Sequence, residues 1–382
     1  MENQDRISRK ALFGIMLGVV LVAGMMLALM AEGALRLRAY LKQGSGSGTV
    51  TSLFHTDEKS GLRVLTPGAK FSFGAINGQG FRGPEVAMPK PEGTIRIAFL
   101  GASTTLCAEV QDTEQTWPHL VTEALKKRFP AVKFDYINAG APGYTVQTTT
   151  ENLRHRVAKY RPDVIFIYHA TNNFSKDVRR LAIAKGYVVE RPEDDSWLSR
   201  NSLLWNYFSK QVRIYLRQKR AADETQESFQ FDMAELTAGF RKDLSDLIRE
   251  SASVAGTVAI ATFAARLRRD LSDAEKEAAA VTAAYYMPHI SIKSMIGGYE
   301  YYNGVIRDLA RKHGVALIEG EGRVPADQAH YNDSVHFTTA GSQKFARAII
   351  DEFAAVIGEK IRSGDLPAKV SFTASPDRET GQ

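Results

Sequence analysis

The sequence predicts a three-layer α/β/α domain built on a five-stranded parallel sheet, preceded by one N-terminal transmembrane helix and interrupted by a helical insertion. Three observations predict it. Short, nearly unbroken apolar runs recur between turn residues, as strands buried on both faces require. Amphipathic stretches of 3.6-residue period separate them, and strand–helix alternation implies a parallel sheet with right-handed crossovers. The first apolar segment differs in kind, because residues 11–31 (ALFGIMLGVVLVAGMMLALMA) carry no charge.

At a helical rise of about 1.5 Å per residue that segment spans roughly 30 Å, the hydrocarbon thickness of a bilayer. A secretory signal has a shorter apolar core of about 7–15 residues and a small-x-small cleavage site. The segment therefore reads as an uncleaved signal-anchor over 11–32, behind a flank at 1–10. Arg6, Arg9 and Lys10 before it balance Arg36, Arg38 and Lys42 after it, so charge assigns no orientation. Gly14 and Gly18 have GxxxG spacing, which allows a homodimer face as well as plain tolerance of small residues in a membrane helix. Residues 33–94 read as a tether, including QGSGSGT at 43–49, and an irregular collar rich in Gly and Pro.

The main domain is expected over 95–361. Its strands fall at 95–100, 132–137, 164–168, 258–263 and 315–318, and its helices at 117–129, 147–160, 233–251, 301–313 and 340–361. About 90 residues separate the third and fourth strands, far more than a usual crossover. A helical insertion is therefore expected at about 175–255. It contains SWLSRNSLLWNYFSKQVRIYLRQKR, in which Leu204, Phe208, Tyr215 and Leu216 share a helical face apart from Lys210, Arg213, Arg217 and Arg220. That pattern suits a helix covering the sheet, a lid, or a patch resting on anionic lipid. The polar tail at 362–382 is expected to be disordered.

A net charge of +6 spread over 382 residues, without zinc-finger, P-loop or RNP patterns, gives no reason to expect nucleic acid as a partner. Cys107 is the only cysteine, which excludes an intrachain disulfide and a Cys-based zinc cluster. His169, His330 and Asp333 lack HxxxH or HExxH spacing, so no metal or cofactor is expected.

The chemistry turns on IRIAFLGASTT (95–105), a buried strand running into small and hydroxyl-bearing residues. Such a turn is a helix cap, a phosphate cradle or a nucleophile turn. A cradle requires GxxxxGK[ST] or GxGxxG, and neither is present. Near the C-terminus, YNDSVHFTTAG (331–341) places Asp333 three residues before His336. That spacing lets a carboxylate orient the imidazole, which then takes the proton from Ser103 Oγ. INAGAPGYT (137–145) ends the second strand with Gly143, and HATNNF (169–174) ends the third with Asn172. These are positions from which a backbone N–H and a side-chain amide serve a developing oxyanion. Each of these residues alone also has an ordinary turn or capping use.

Together, a strand-end Ser, Gly and Asn followed by a C-terminal DxxH resemble the blocks of the SGNH, or GDSL-like, hydrolases. NGQGFRGPE (77–85) is similar to a stretch of membrane-anchored bacterial members. The resemblance covers roughly 70–360 apart from the insertion. It implies a flavodoxin-like sheet, Ser103, His336 and Asp333 as catalytic triad, and Ser103, Gly143 and Asn172 as oxyanion donors. GAS replaces GDS at Ala102, and ATNN replaces GxND at Ala170 and Asn173. An α/β-hydrolase elbow is disfavoured because Thr105 stands where its last glycine belongs. The implied function is a membrane-tethered serine esterase acting on acylated glycans or lipids outside the cytoplasm. An O-acyltransferase using the same residues and a non-catalytic envelope scaffold are the rivals.

Overall fold

The computed structural model describes residues 9–43, 53–71, 74–187, 196–221, 231–288 and 290–367. The chain opens with α1 (Arg9–Gln43), the antiparallel pair β1 (Phe54–Thr56) and β2 (Arg63–Leu65), and the two-residue strands β3 (Lys70–Phe71) and β4 (Gly74–Ala75). Next come β5 (Thr94–Gly101), α2 (Ser103–Leu106), α3 (Trp117–Arg128), β6 (Lys133–Asn138), α4 (Val146–Asn152), β7 (Val164–Tyr168) and α5 (Thr171–Ala184). The insertion contributes α6 (Trp197–Asn201) and α7 (Leu203–Ala221). The chain continues with α8 (Met233–Val254), β8 (Thr257–Ala261), α9 (Asp273–Tyr286), α10 (Ile292–His313), β9 (Ala316–Ile318) and α11 (Thr339–Arg362).

These elements fall into two compact units. The smaller holds α1, α6 and most of α7. Within α1, the apolar window of the Phe13–Arg38 stretch has a mean hydropathy of 2.5, and the helix is long and apolar enough to cross a bilayer. It runs past the expected boundary at 32, because the following GALRLRAYLKQ is free of proline and rich in helix formers.

The larger unit is the expected α/β/α domain. Its sheet has the order β6-β5-β7-β8-β9, all parallel. Every residue of β5, β7 and β8 is buried, which explains why these strands read as continuous apolar runs. Helices α3 and α11 pack together, while α4, α5 and α10 pack against α8, as right-handed crossovers on either side of the sheet demand. Trp117 is fully buried, with ring contacts to Phe99, Phe166, Tyr168 and Phe345. Its indole N–H donates to the Thr104 carbonyl at 3.0 Å, so the core grips α2 directly.

Several elements differ from expectation, each for a physical reason. The collar expected to be irregular holds β1–β4, whose strands of two or three residues are too short to show a period. Helix α9 buries only alanines, Ala279, Ala280, Ala283 and Ala284, so its apolar stripe is faint. Helix α10 begins at Ile292, capped by Ser291, which accepts the Ser294 N–H. The pair Gly297–Gly298 hid this start, and the Phe174 ring fills the space where a Gly298 Cβ would stand, 2.1 Å away. In the stretch read as insertion, α5 and α8 pack on each other within the sheet domain. The tether at 44–49 and the tail beyond 367 lie outside the described residues.

The NGQGFRGPE stretch has a specific structural task. Arg82 is 1% exposed and donates to the carbonyls of Leu106 (3.0 Å), Cys107 (2.6 Å) and Val110 (2.6 Å). These are the residues that end α2 and lead away from it. Replacing Arg82 with Leu strands three buried acceptors, at about 1–3 kcal/mol for each one left unsatisfied. Urea unfolding of R82L is expected to show a loss of at least ~3 kcal/mol.

Candidate active site

Ser103 stands at the carboxyl end of β5 as the first residue of α2. Helix α2 has only four residues, and no side chain caps it at Ala102. The capping reading of Ser103 is therefore not realised, and its Oγ is turned elsewhere. It lies 2.8 Å from His336 Nε2, while His336 Nδ1 lies 2.8 Å from Asp333 Oδ2. An ionised carboxylate only accepts, so Nδ1 carries the proton and Nε2 accepts from the Ser103 hydroxyl.

The DxxH spacing produces this geometry locally. Asp333 Oδ1 accepts the backbone N–H groups of both Val335 and His336 at 2.8 Å, closing a tight turn. The turn leaves Oδ2 pointed at the imidazole three residues on. Ser334, buried between them, donates to Ala279 O and accepts from Ala283 N, fixing the loop to α9. The Asn332 N–H donates to His336 O, and Tyr331 bridges Phe337. Thr338 then caps α11 by accepting the Gly341 N–H.

The charges follow from this packing. Burial opposes ionisation of Asp333, but the hydrogen bond and charge of His336 and the two backbone N–H groups overcome it and hold the carboxyl below its ordinary value. Burial likewise opposes the His336 imidazolium, and Asp333, assisted by Glu109, raises the imidazole above its ordinary value. His169 is different. It is buried beside Thr149 Oγ1 (2.8 Å), and burial alone lowers its pKa to about 3, so it is neutral at physiological pH. His330 pairs with Asp327. No group of three metal-ligating side chains occurs among the described residues.

Gly143 lies exposed in the β6–α4 turn with φ of +81°, a conformation that favours glycine. The Asn172 amide donates to Tyr144 O at 2.9 Å, joining the β7–α5 turn to the residue after Gly143. Ala102 packs on Ala141 and Tyr144, which sets this same loop beside Ser103. The structure thus links Ser103, His336 and Asp333 by direct hydrogen bonds, and Gly143 and Asn172 through Tyr144 and Ala102.

The sequence does not show the roles of four residues that shape the site. Gly140 lies so close to α2 that a Cβ would stand 2.5 Å from Leu106 N and 2.8 Å from Ala102 O. Asn138 donates to Thr105 O and accepts from Gly140 N, clamping the two turns together. Asn173 accepts the Val146 N–H at the start of α4. Arg82 was visible only as part of NGQGFRGPE. The signal for Gly140 and Asn138 lies in INAG, ahead of Gly143. Beside the site, a cavity of about 340 Å³ is lined by Phe263, Ile296, Tyr299, Asn303 and the charged Arg268 and Glu300, and its lining excludes Ser103 and His336.

A model of the GDSL-like lipase/acylhydrolase family matches residues 99–344 of the chain. Among solved structures, the chain is similar to the acetylxylan esterase Axe2 of Geobacillus stearothermophilus at 14% identity and TM-score 0.41, over 68% of this chain and 93% of that one. It is also similar to LAE5, an alpha/beta hydrolase enzyme from the metagenome of Lake Arreo, Spain, at 15% identity and TM-score 0.41, over 68% and 94%. No curated protein matches the sequence.

Two outcomes are expected of the Asp–His pair. A His336 acting as general base would have to be neutral, so kcat/KM for an ester is expected to rise with pH through an imidazole pKa above the ordinary 6.5. In Asp333→Asn the raising partner is gone while burial remains, so this acid limb moves to lower pH and the rate falls roughly 10³–10⁴-fold. Stability carries the same signs. The Asp333 contribution is present above its unfolded-state pKa and is lost as pH falls through the depressed folded value. The His336 contribution is full below its unfolded-state pKa and is lost as pH rises through the raised folded value. Thermal melts of wild type and D333N across pH check both limbs.

Proposed function

The chain belongs to the GDSL-like lipase/acylhydrolase family, a carboxylic ester hydrolase on that footing, and we propose that it acts as a membrane-tethered serine esterase through Ser103, His336 and Asp333. The observation that carries this reading is the unbroken hydrogen-bonded chain from Ser103 Oγ through His336 to Asp333, at 2.8 Å in each step.

In this mechanism His336 Nε2 takes the Ser103 proton as Oγ attacks the ester carbonyl. Asp333 holds the imidazole tautomer and stabilises the imidazolium that forms. The oxyanion is received by the Ser103 and Gly143 N–H groups and the Asn172 amide. Ser103 supports this role because its N–H belongs to the first turn of α2, which lacks an intrahelical acceptor. Each such donor is typically worth about 3–4 kcal/mol of barrier. His336 returns its proton to the departing alcohol, and a water activated by the same imidazole releases the acyl group.

Helix α1 supports the tether, and a bilayer-bound enzyme with its domain outside the cytoplasm meets acyl esters of envelope glycans or lipids. Labelling by a fluorophosphonate probe and hydrolysis of a short-chain aryl ester test the chemistry. Wild type is expected to do both and Ser103→Ala neither, with unchanged thermal stability. A wild-type protein that takes no label and cleaves no ester would leave the fold as a scaffold. Adding a glycan acceptor distinguishes transfer from hydrolysis, because the esterase reading expects free acid as the main product with and without acceptor.

A further inference from the structure

Helices α6 and α7 are tied to the far end of α1 by a built contact. Glu32 is the first charged residue after Lys10, so it marks where the chain leaves the apolar run. Its carboxylate accepts from Ser202 Oγ (3.0 Å), Leu203 N (3.1 Å) and Leu204 N (2.8 Å), capping the start of α7. Arg36 binds Glu32 and also donates to the Asn201 carbonyl at 2.6 Å. These bonds hold the α6–α7 junction at one level of α1, directly beyond residue 31. In a membrane-spanning α1 that level is the headgroup layer.

The composition of the pair fits that depth. Trp197 is 69% exposed, Tyr207 and Phe208 60%, and Tyr215 64%. Positions 205, 208, 212 and 215 follow i, i+3, i+7, i+10 spacing and form one stripe of Trp, Phe, Val and Tyr. Positions 210, 213, 217 and 220 repeat the same spacing on another face and are all Lys or Arg. An aromatic stripe beside a cationic one is the pattern of a helix lying in a membrane surface. Trp and Tyr favour the interfacial zone, and Lys and Arg favour anionic headgroups.

We propose that α6 and α7 form an interfacial anchor that lies in the headgroup layer of an anionic leaflet, at a depth set by Glu32 and Arg36. This rests on the reading of α1 as a membrane span. The occupant of the exposed stripe is phospholipid, argued from its continuity with α1 and from charge complementarity. The second point of attachment restricts how the chain following α1 departs from the membrane.

The three tryptophans make the test direct, since Trp117 is fully buried in the sheet domain and Trp197 and Trp205 both belong to the insertion. Full-length protein is reconstituted into vesicles of phosphatidylcholine and phosphatidylglycerol whose acyl chains are brominated near the headgroup. Tryptophan emission is expected to be quenched, and the W197F/W205F variant to lose the quenched component. Each cation neutralised in a K210Q/R213Q/R217Q/R220Q variant is expected to weaken the contact about fivefold, reducing quenching while flotation with the vesicles persists. Protein that resists alkaline extraction yet is quenched no more than W197F/W205F overturns the interfacial anchor and leaves the tether standing. Protein stripped by alkaline extraction removes the tether, and this inference with it. Loss of quenching with concentration-dependent self-association would give the stripe to a second copy of the chain and also overturn it.

Discussion

The reversal of strand order at β5 is the constraint on which the site depends. The chain steps from β5 to β6 on one side, then returns past β5 to β7 on the other. The connections leaving the carboxyl ends of β5 and β7 therefore diverge, and a crevice opens between them, as at any switch point of a parallel sheet. Ser103 follows β5, Gly143 follows β6 and Asn172 follows β7, so three adjacent strands deliver three groups to one end. Only the Asp333–His336 loop comes from elsewhere, and it closes the crevice across 233 residues of sequence.

Such a crevice is useful only if α2 is held still, since four residues of helix have little stability of their own. Three sets of contacts supply the rigidity. Arg82 satisfies the carbonyls at and beyond its C-terminus, Trp117 binds the Thr104 carbonyl from the core side, and Asn138 binds Thr105 O from the neighbouring turn. Gly140 lets the β6 turn approach α2 at a distance no side chain permits. Cys107 ends α2 with φ of 58°. It is buried, and burial pushes its thiol up to about 11, so it is a protonated packing residue despite its nearness to Ser103.

The sheet and the Asp333–His336 pair were legible because both are written locally. Fully buried parallel strands leave continuous apolar runs, and an Asp whose own turn presents it to a His three residues later needs no tertiary information. The elements that differ from the sequence pattern, α9, the start of α10 and the short collar strands, obey other rules. Helix α9 packs on small residues, α10 carries glycines that another element's ring requires, and β3 and β4 are shorter than one period of any pattern. Asn138, Gly140 and Arg82 each meet backbone atoms of the distant α2 turn. Nothing in a side chain's type announces which carbonyl it will meet, so these roles follow only from the fold.

The departures from the family motif bear on the same logic. Asn173, in place of an acid, still accepts the Val146 N–H with its amide oxygen, and an amide carbonyl serves that bond as a carboxylate would. Ala170 has φ of −167°, an extended backbone open to any residue, so the family's glycine is not needed there. Ala102 is 3% exposed against Ala141 and Tyr144. A carboxylate at that position, without new partners, would lose solvation in an apolar pocket. The two missing acids are therefore matched by their surroundings, one by an equivalent acceptor and one by an apolar contact. Their loss removes no bond from the chain linking Ser103, His336 and Asp333. What Ala102 changes is the wall beside Ser103, which is uncharged where Ala102 packs on Ala141 and Tyr144.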